Sequence, residues 1–219
     1  MHIHPDAVAI AISVLMVLGY YLFLVARQRR RHDFTVHAIN RRARRLWVAE
    51  VMKSAGKEVL AVQTLRNYVM AATFKASSAV LLIMGTLTLS GQAESLAKTW
   101  HALNIVSMQE PQWWIVKILC LLTVLIVAFF AFALTVRLLN HVVFMISLPA
   151  AVAQGPLSPD YVAQRLNKAS TLYSIGMRAF FMTVPLVFWL FGPLFLVAAT
   201  IGLVAVLYLL DRNPITEVD

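Results

Sequence analysis

Residues 113–141 read WWIVKILCLLTVLIVAFFAFALTVRLLNH, and this stretch decides the fold. Two tryptophans and a lysine open it, no charge occurs from Ile118 to Val136, and Arg137, Asn140 and His141 close it. A run of about 18 or more apolar residues is the usual mark of a helix that crosses a bilayer, and tryptophans gather where such a helix meets the headgroups. Trp113, Trp114 and Lys117 therefore read as the outer anchor of a span, and Arg137 as its inner end. Three more stretches of this character lie at 6–26, 69–90 and 180–210. The expected fold class is all-α: a single four-span integral membrane domain over 1–219.

Charge gives the spans a direction. Between Arg27 and Met70 there are eleven Lys or Arg against Asp33, Glu50 and Glu58, and between Arg137 and Arg178 four cations against Asp160. The remaining exposed pieces, 1–6, 91–112 and 211–219, hold only Lys98 and Arg212 against Asp6, Glu94, Glu110, Asp211, Glu217 and Asp219. Basic loops stay in the cytoplasm, so 27–68 and 137–179 are expected there and both termini outside, in a bacterial inner membrane. With 60% hydrophobic and 13% charged residues, little chain remains for a soluble domain. The net charge of +9 is not a nucleic-acid signal, because the cations flank spans, where each adds about 1 kcal/mol of attraction to anionic headgroups. The N-terminus inverts the order of a secretion signal: its basic residues, Arg27 and Arg29 to Arg31, follow the apolar core. Cys120 is the single cysteine, so no internal disulfide forms.

Between the spans the pattern changes. Residues 32–58 mix Ala38, Leu46, Trp47, Val51 and Met52 with Arg41, Arg42, Arg44 and Arg45, which predicts an amphipathic helix lying on the cytoplasmic membrane surface and ended by Gly56. The next run, Glu58 to Ser90, would be about 50 Å long at 1.5 Å per residue, more than the hydrocarbon core needs. The run from Trp113 to about Ser147 has the same excess, so both helices should project into the cytoplasm. Pro185, Gly192 and Pro193 predict a kinked or broken helix within 179–210. Ser158 and Pro159 have the chemistry of a helix cap and first position. The outer loop 91–112 has apolar residues enough for a short interfacial helix.

Depth singles out one layer. Arg66 and Asn67, then Arg137, Asn140 and His141, fall at the inner ends of two spans at i, i+3 and i+4 spacings that share a face. Lys75 lies deeper, about fifteen residues in from Ser90, and Arg178 enters at a similar level from the fourth run. Long basic side chains at span ends commonly snorkel to the headgroups. Asn and His cannot reach so far, and no Asp or Glu was expected inside any span to pair with these cations. They read equally as a layer that binds anions or anionic lipid. His2 and His4 lack a third ligand, and no cofactor or metal is expected. Ala72, Ala76 and Ala79 form a small-residue stripe suited to close helix packing. There is no paired carboxylate, phosphate loop or nucleophile elbow, so no enzyme is expected.

Several segments resemble a known family. Asn40-Arg41 with Leu46-Trp47-Val48, then Val59 to Thr73 with its core Gln63-Thr64-Leu65-Arg66-Asn67, Ala76 to Ala79, and Val136-Arg137-Leu138-Leu139-Asn140-His141 with Ser147-Leu148-Pro149, are similar to DUF599, a family of bacterial and plant membrane proteins. The resemblance runs from about 34 to 190. It departs at Ala43 and Arg44, and at Lys75, where the family is often apolar. The family name leaves function undefined, so the resemblance implies a topology and a polar layer only. The expected function is a small homo-oligomeric channel or transporter for anions or anionic lipid. The alternative is an accessory or scaffold protein that binds a partner or organises lipid; nucleic acid is not an expected partner.

Overall fold

Proline and glycine set most of the helix boundaries. The computed structural model describes residues 4–30, 36–54, 56–91, 111–149 and 152–211. Six α-helices follow in order: α1 (Pro5–Arg30), α2 (Val36–Lys53), α3 (Glu58–Gly91), α4 (Pro111–Ile146), α5 (Pro159–Trp189) and α6 (Pro193–Asp211). A 3-10 turn, Gly155–Leu157, precedes α5, and no strand occurs among the described residues. Proline opens four of the helices, where its missing N–H costs nothing. The expected cap is present at α5, where the Tyr161 amide donates to Ser158 Oγ at 3.4 Å. Gly56, at φ 91°, turns the chain between α2 and α3 in a conformation that a side chain would strain. The expected helix in 91–112 falls on 92–110, outside the described residues.

Among the described residues five helices, where four spans were expected, are long and apolar enough to cross a membrane: Pro5–Arg27, Glu58–Gly91, Gln112–Ile146, Pro159–Trp189 and Pro193–Asp211. The difference lies in the run expected as one span at 180–210. Its helix tightens at the end, with the Leu190, Phe191 and Gly192 amides donating three residues back at 3.1 Å each. Gly192 then takes φ 146°, and Pro193 starts a new helix. Pro185 stays inside α5, so the break belongs to the Gly-Pro pair. The chain folds back there. Leu186 and Trp189 pack with Leu196 and Val197, while Phe181 and Met182 pack with Leu203 and Leu207, an antiparallel pairing. Along α6 lies α1, in the same direction: Ala9 meets Leu196, and Tyr20 meets Leu203 and Leu207. The Tyr20 hydroxyl donates to Asp211 Oδ2 at 2.7 Å.

The chain divides into two compact units, residues 1–36, 81–126 and 179–219 in one and 37–80 with 127–178 in the other. The first contains α1, α6 and one stretch each of α3, α4 and α5. The second is organised by α2. Val48, Val51 and Met52 of that helix are buried with Ala61 and Leu65 of α3, Leu139, Val142 and Ile146 of α4, and Val162, Leu166 and Ala169 of α5. The apolar face of α2 is therefore spent on the helix bundle, which corrects its expected placement flat on the membrane. Each fully buried Val, Leu or Ile contributes about 1.5–3 kcal/mol wherever water is the alternative. Ala72 and Ala79 are fully buried within this unit, so part of the small-residue stripe serves packing inside one chain. Gly176 of α5 is small for a similar reason: a Cβ there would stand 2.8 Å from the ring of the buried Phe132 on α4.

Candidate functional site

Arg44 leaves the basic face of α2 and turns inward, because it lies four residues before the buried Val48. Its Nε donates to Asn167 Oδ1 on α5 at 2.8 Å, and Asn167 Nδ2 donates to the Arg41 carbonyl at 3.4 Å. The Nη2 of Arg44 is buried without a hydrogen-bond partner among the described residues. Burial pulls this guanidinium below its ordinary value, yet an arginine stays charged. Beside it rises an aromatic column. Tyr68 on α3 meets Tyr173 on α5 edge-on at 5.1 Å, and Tyr173 meets Phe132 at 5.6 Å. The Lys75 ammonium stands over the Tyr173 ring, 5.8 Å from its centre, within cation–π range. Among the described residues no carboxylate pairs with Arg44 or Lys75. Two half-buried cations thus lie among aromatic, amide and hydroxyl groups, with no acid paired to either among the described residues.

The other residues of the expected layer are placed differently. Arg66, Asn67, Arg137, Asn140 and His141 are all exposed, on the faces of α3 and α4 that point away from the buried cluster. No hydrogen bond or ion pair among the described residues joins them to each other. Arg178 is half-buried on α5. Of the residues expected at the membrane surface, Arg41, Arg42 and Arg45 are exposed, whereas Arg44 and Trp47 pack toward the interior. The layer therefore separates into an inward pair, Arg44 and Lys75, and an outward set of five.

The first unit contains a polar cluster that the sequence did not announce. Asp6, in the first turn of α1, and Lys117 of α4 are each 1% exposed, with Nζ 3.3 Å from Oδ1. The Trp189 indole, at the last turn of α5, donates to the same oxygen at 2.7 Å, and its ring lies 5.5 Å beneath the ammonium. His4 Nδ1 stands 3.4 Å from Asp6 Oδ2 and stacks on Trp113 at 4.8 Å. Lys117 is therefore no snorkelling anchor, and an acid does pair with a cation inside the apolar helices. Trp114 is buried as well, against Ile118 and Leu190, and does not face outward as a belt residue would. The cluster ties α1, α4 and the turn between α5 and α6. The pairing was hidden because Asp6 read as part of an exposed tail, and its partners lie more than a hundred residues away.

No group of three or more His, Cys, Asp or Glu among the described residues could hold a metal. His4 is engaged by Trp113, and His2 lies outside the described residues. No curated protein and no solved structure matches the chain. A family described as "Protein of unknown function, DUF599" matches residues 8–215, nearly the whole chain, and the protein, helical with five described helices long and apolar enough to cross a membrane, belongs to that family.

Proposed function

We propose that this chain is an inner-membrane protein of five crossings that binds anionic groups, lipid headgroup phosphates foremost, at its basic end, and that this end faces the cytoplasm. The observation that carries the reading is the inward pair: among the described residues, half-buried Arg44 and Lys75 have no carboxylate partner, and the buried Nη2 of Arg44 has no acceptor. An uncompensated cation away from water is costly, so an anionic oxygen is the group this arrangement calls for. Arginine suits phosphate because its planar fork gives two parallel N–H donors. The exposed Arg41, Arg42 and Arg45 would add attraction of about 1 kcal/mol each near an anionic surface. This is a binding and organising role, with no chemistry assigned.

A second reading, a homo-oligomeric anion channel, rests on one different observation. Arg66, Asn67, Arg137, Asn140 and His141 lie on outward faces, beside the exposed Met70, Phe74, Leu134 and Phe144, where a second copy would meet them. One experiment separates the two. Protein reconstituted in liposomes is assayed for chloride flux, and in parallel for phosphatidylglycerol retained through purification, measured by native mass spectrometry. The organising role expects retained anionic lipid that drops several-fold in Arg44→Gln and in Lys75→Met, with no flux. Flux that falls in Arg66→Gln and Arg137→Gln, with lipid retention unchanged by Arg44→Gln, would replace it by the channel.

A further inference from the structure

A crevice runs along α1 in the first unit, formed by two adjoining cavities of about 380 and 260 Å³ that share Ser13, Val14, Val124, Leu186 and Leu196. Cavities of a few hundred Å³, mostly apolar with a few placed polar groups, are the usual form of a small-molecule site. Exposed Val14, Leu119 and Thr123 line it on the side open to the surroundings. The Trp189 indole borders the larger cavity. No charged residue lines either one.

Ser13 is the anomaly in this lining. Hydroxyls on apolar helices usually donate to the carbonyl one turn back, which removes the cost of an unpaired donor. Thr64, Ser78, Thr86, Thr123, Thr135 and Thr200 all do so here, at 2.8 to 2.9 Å for the first five and 2.7 Å for Thr200. Ser13 does not: it is 7% exposed, and its Oγ has no hydrogen-bond partner among the described residues. A buried, unmade donor is unfavourable, and a nearby oxygen acceptor would relieve it.

Three constraints define what supplies that acceptor. It is neutral, because no cation lines the crevice and an unpaired anion there would be prohibitive. It sits deep: Ser13 lies seven residues beyond Asp6, about 10 Å along the axis at 1.5 Å per residue. That is below the level at which the ester carbonyls of surrounding phospholipids meet the headgroups. It is carried on an apolar body that approaches from the hydrocarbon layer. The geometry points to a lipid quinone bound in this crevice, its ring between α1 and α4 beside Trp189, with one ring carbonyl accepting a hydrogen bond from Ser13. This is a binding assignment on different residues from the anion site, and neither depends on the other.

The test uses the full-length protein in detergent micelles, titrated with decylubiquinone while tryptophan emission is followed, since a quinone next to Trp189 quenches it. Saturable quenching is expected, weakened about five-fold in Ser13→Ala, the equivalent of one hydrogen bond, and lost in Ser13→Leu, which fills the crevice. Dioleoylglycerol, which has ester carbonyls and no ring, should not displace the quinone. Non-saturating quenching, equal affinity in Ser13→Ala, or displacement by dioleoylglycerol at similar concentration would each overturn the assignment. Ser13→Ala removes a single oxygen and decides the matter even if Ser13→Leu does not fold.

Discussion

Replacing Lys117 by Met or Asp6 by Asn separates two pictures of the outer cluster. As a headgroup anchor, Lys117 would tolerate Met at little cost. As one half of a buried pair, with both side chains 1% exposed, its loss leaves a charge with nothing to balance it. Removing one member of such a pair typically costs about 3–5 kcal/mol. The two single variants need not match. Lys117→Met leaves Asp6 Oδ1 with the Trp189 indole at 2.7 Å, so part of the carboxylate remains supported. Asp6→Asn leaves an ammonium that makes no other ion pair among the described residues, and it should be the worse of the two. The double variant, Asp6→Asn with Lys117→Met, removes both charges and should regain at least about 2 kcal/mol relative to the sum of the singles. For a chain of this size 1 kcal/mol corresponds to about 2–4 °C, so each single should lower the melting temperature by on the order of 10 °C. Thermal unfolding in detergent, read by intrinsic fluorescence, gives all four corners of the cycle. Single losses under about 0.5 kcal/mol, or strictly additive effects, would refute the buried pair and restore the anchor.

Gly176→Ala should destabilise by about 1–3 kcal/mol, because its methyl group meets the buried Phe132 ring at 2.8 Å; the companion Phe132→Leu should recover part of the loss in the same melting assay. Glu50 accepts hydrogen bonds from Lys57 Nζ at 2.7 Å and Ser54 Oγ at 3.0 Å, and the Lys57 bond above all holds its carboxyl below the usual 4.5. That contribution is present above the unfolded value and is lost as pH falls below it through the folded one. Protection of the Lys57 amide, as its exchange relative to the intrinsic rate at each pH, should therefore fall on acidification below about 4.5 in the native protein and show no such step in Glu50→Gln. A cysteine at Ser54 and a reporter after Asp219 should mark the same side of the membrane; opposite sides would overturn the five-crossing reading.

Local signals were the legible ones. Ser158-Pro159 starting α5, Gly56 ending the basic helix, and the excess lengths of α3 and α4 each depend on residues within a turn or two of one another. The inward turn of Arg44 was also readable, since 44, 48, 51 and 52 fall at i, i+4, i+7 and i+8 on one face, and the run of four arginines drew attention from that spacing. The division at Gly192-Pro193 was harder. Apolar residues continue on both sides of it, so hydropathy over 180–210 cannot separate one broken span from two that fold back. What decides is the packing of Leu196 and Leu203 against α1, a contact between residues nearly two hundred apart. The Asp6–Lys117 pair is of the same kind. Neither residue has a neighbour in sequence that indicates a partner, and each read alone as an ordinary flanking charge.

A fifth crossing would change the charge logic in a direction that supports it. With α1 and α6 parallel and Tyr20 bonded to Asp211, the chain reaches residue 211 alongside the later turns of α1, which lead to Arg27. In a five-crossing chain Arg212, the next residue in sequence, would count with the basic segments and no longer oppose them. Asp211, Glu217 and Asp219 would count there as well, but acids weigh little in setting orientation, which follows Lys and Arg in short loops. Lys98 would then be the one loop cation counted against the fifteen of segments 27–68 and 137–179. Four crossings required Lys98 and Arg212 together on the outer side, so five crossings satisfy the orientation rule with fewer exceptions.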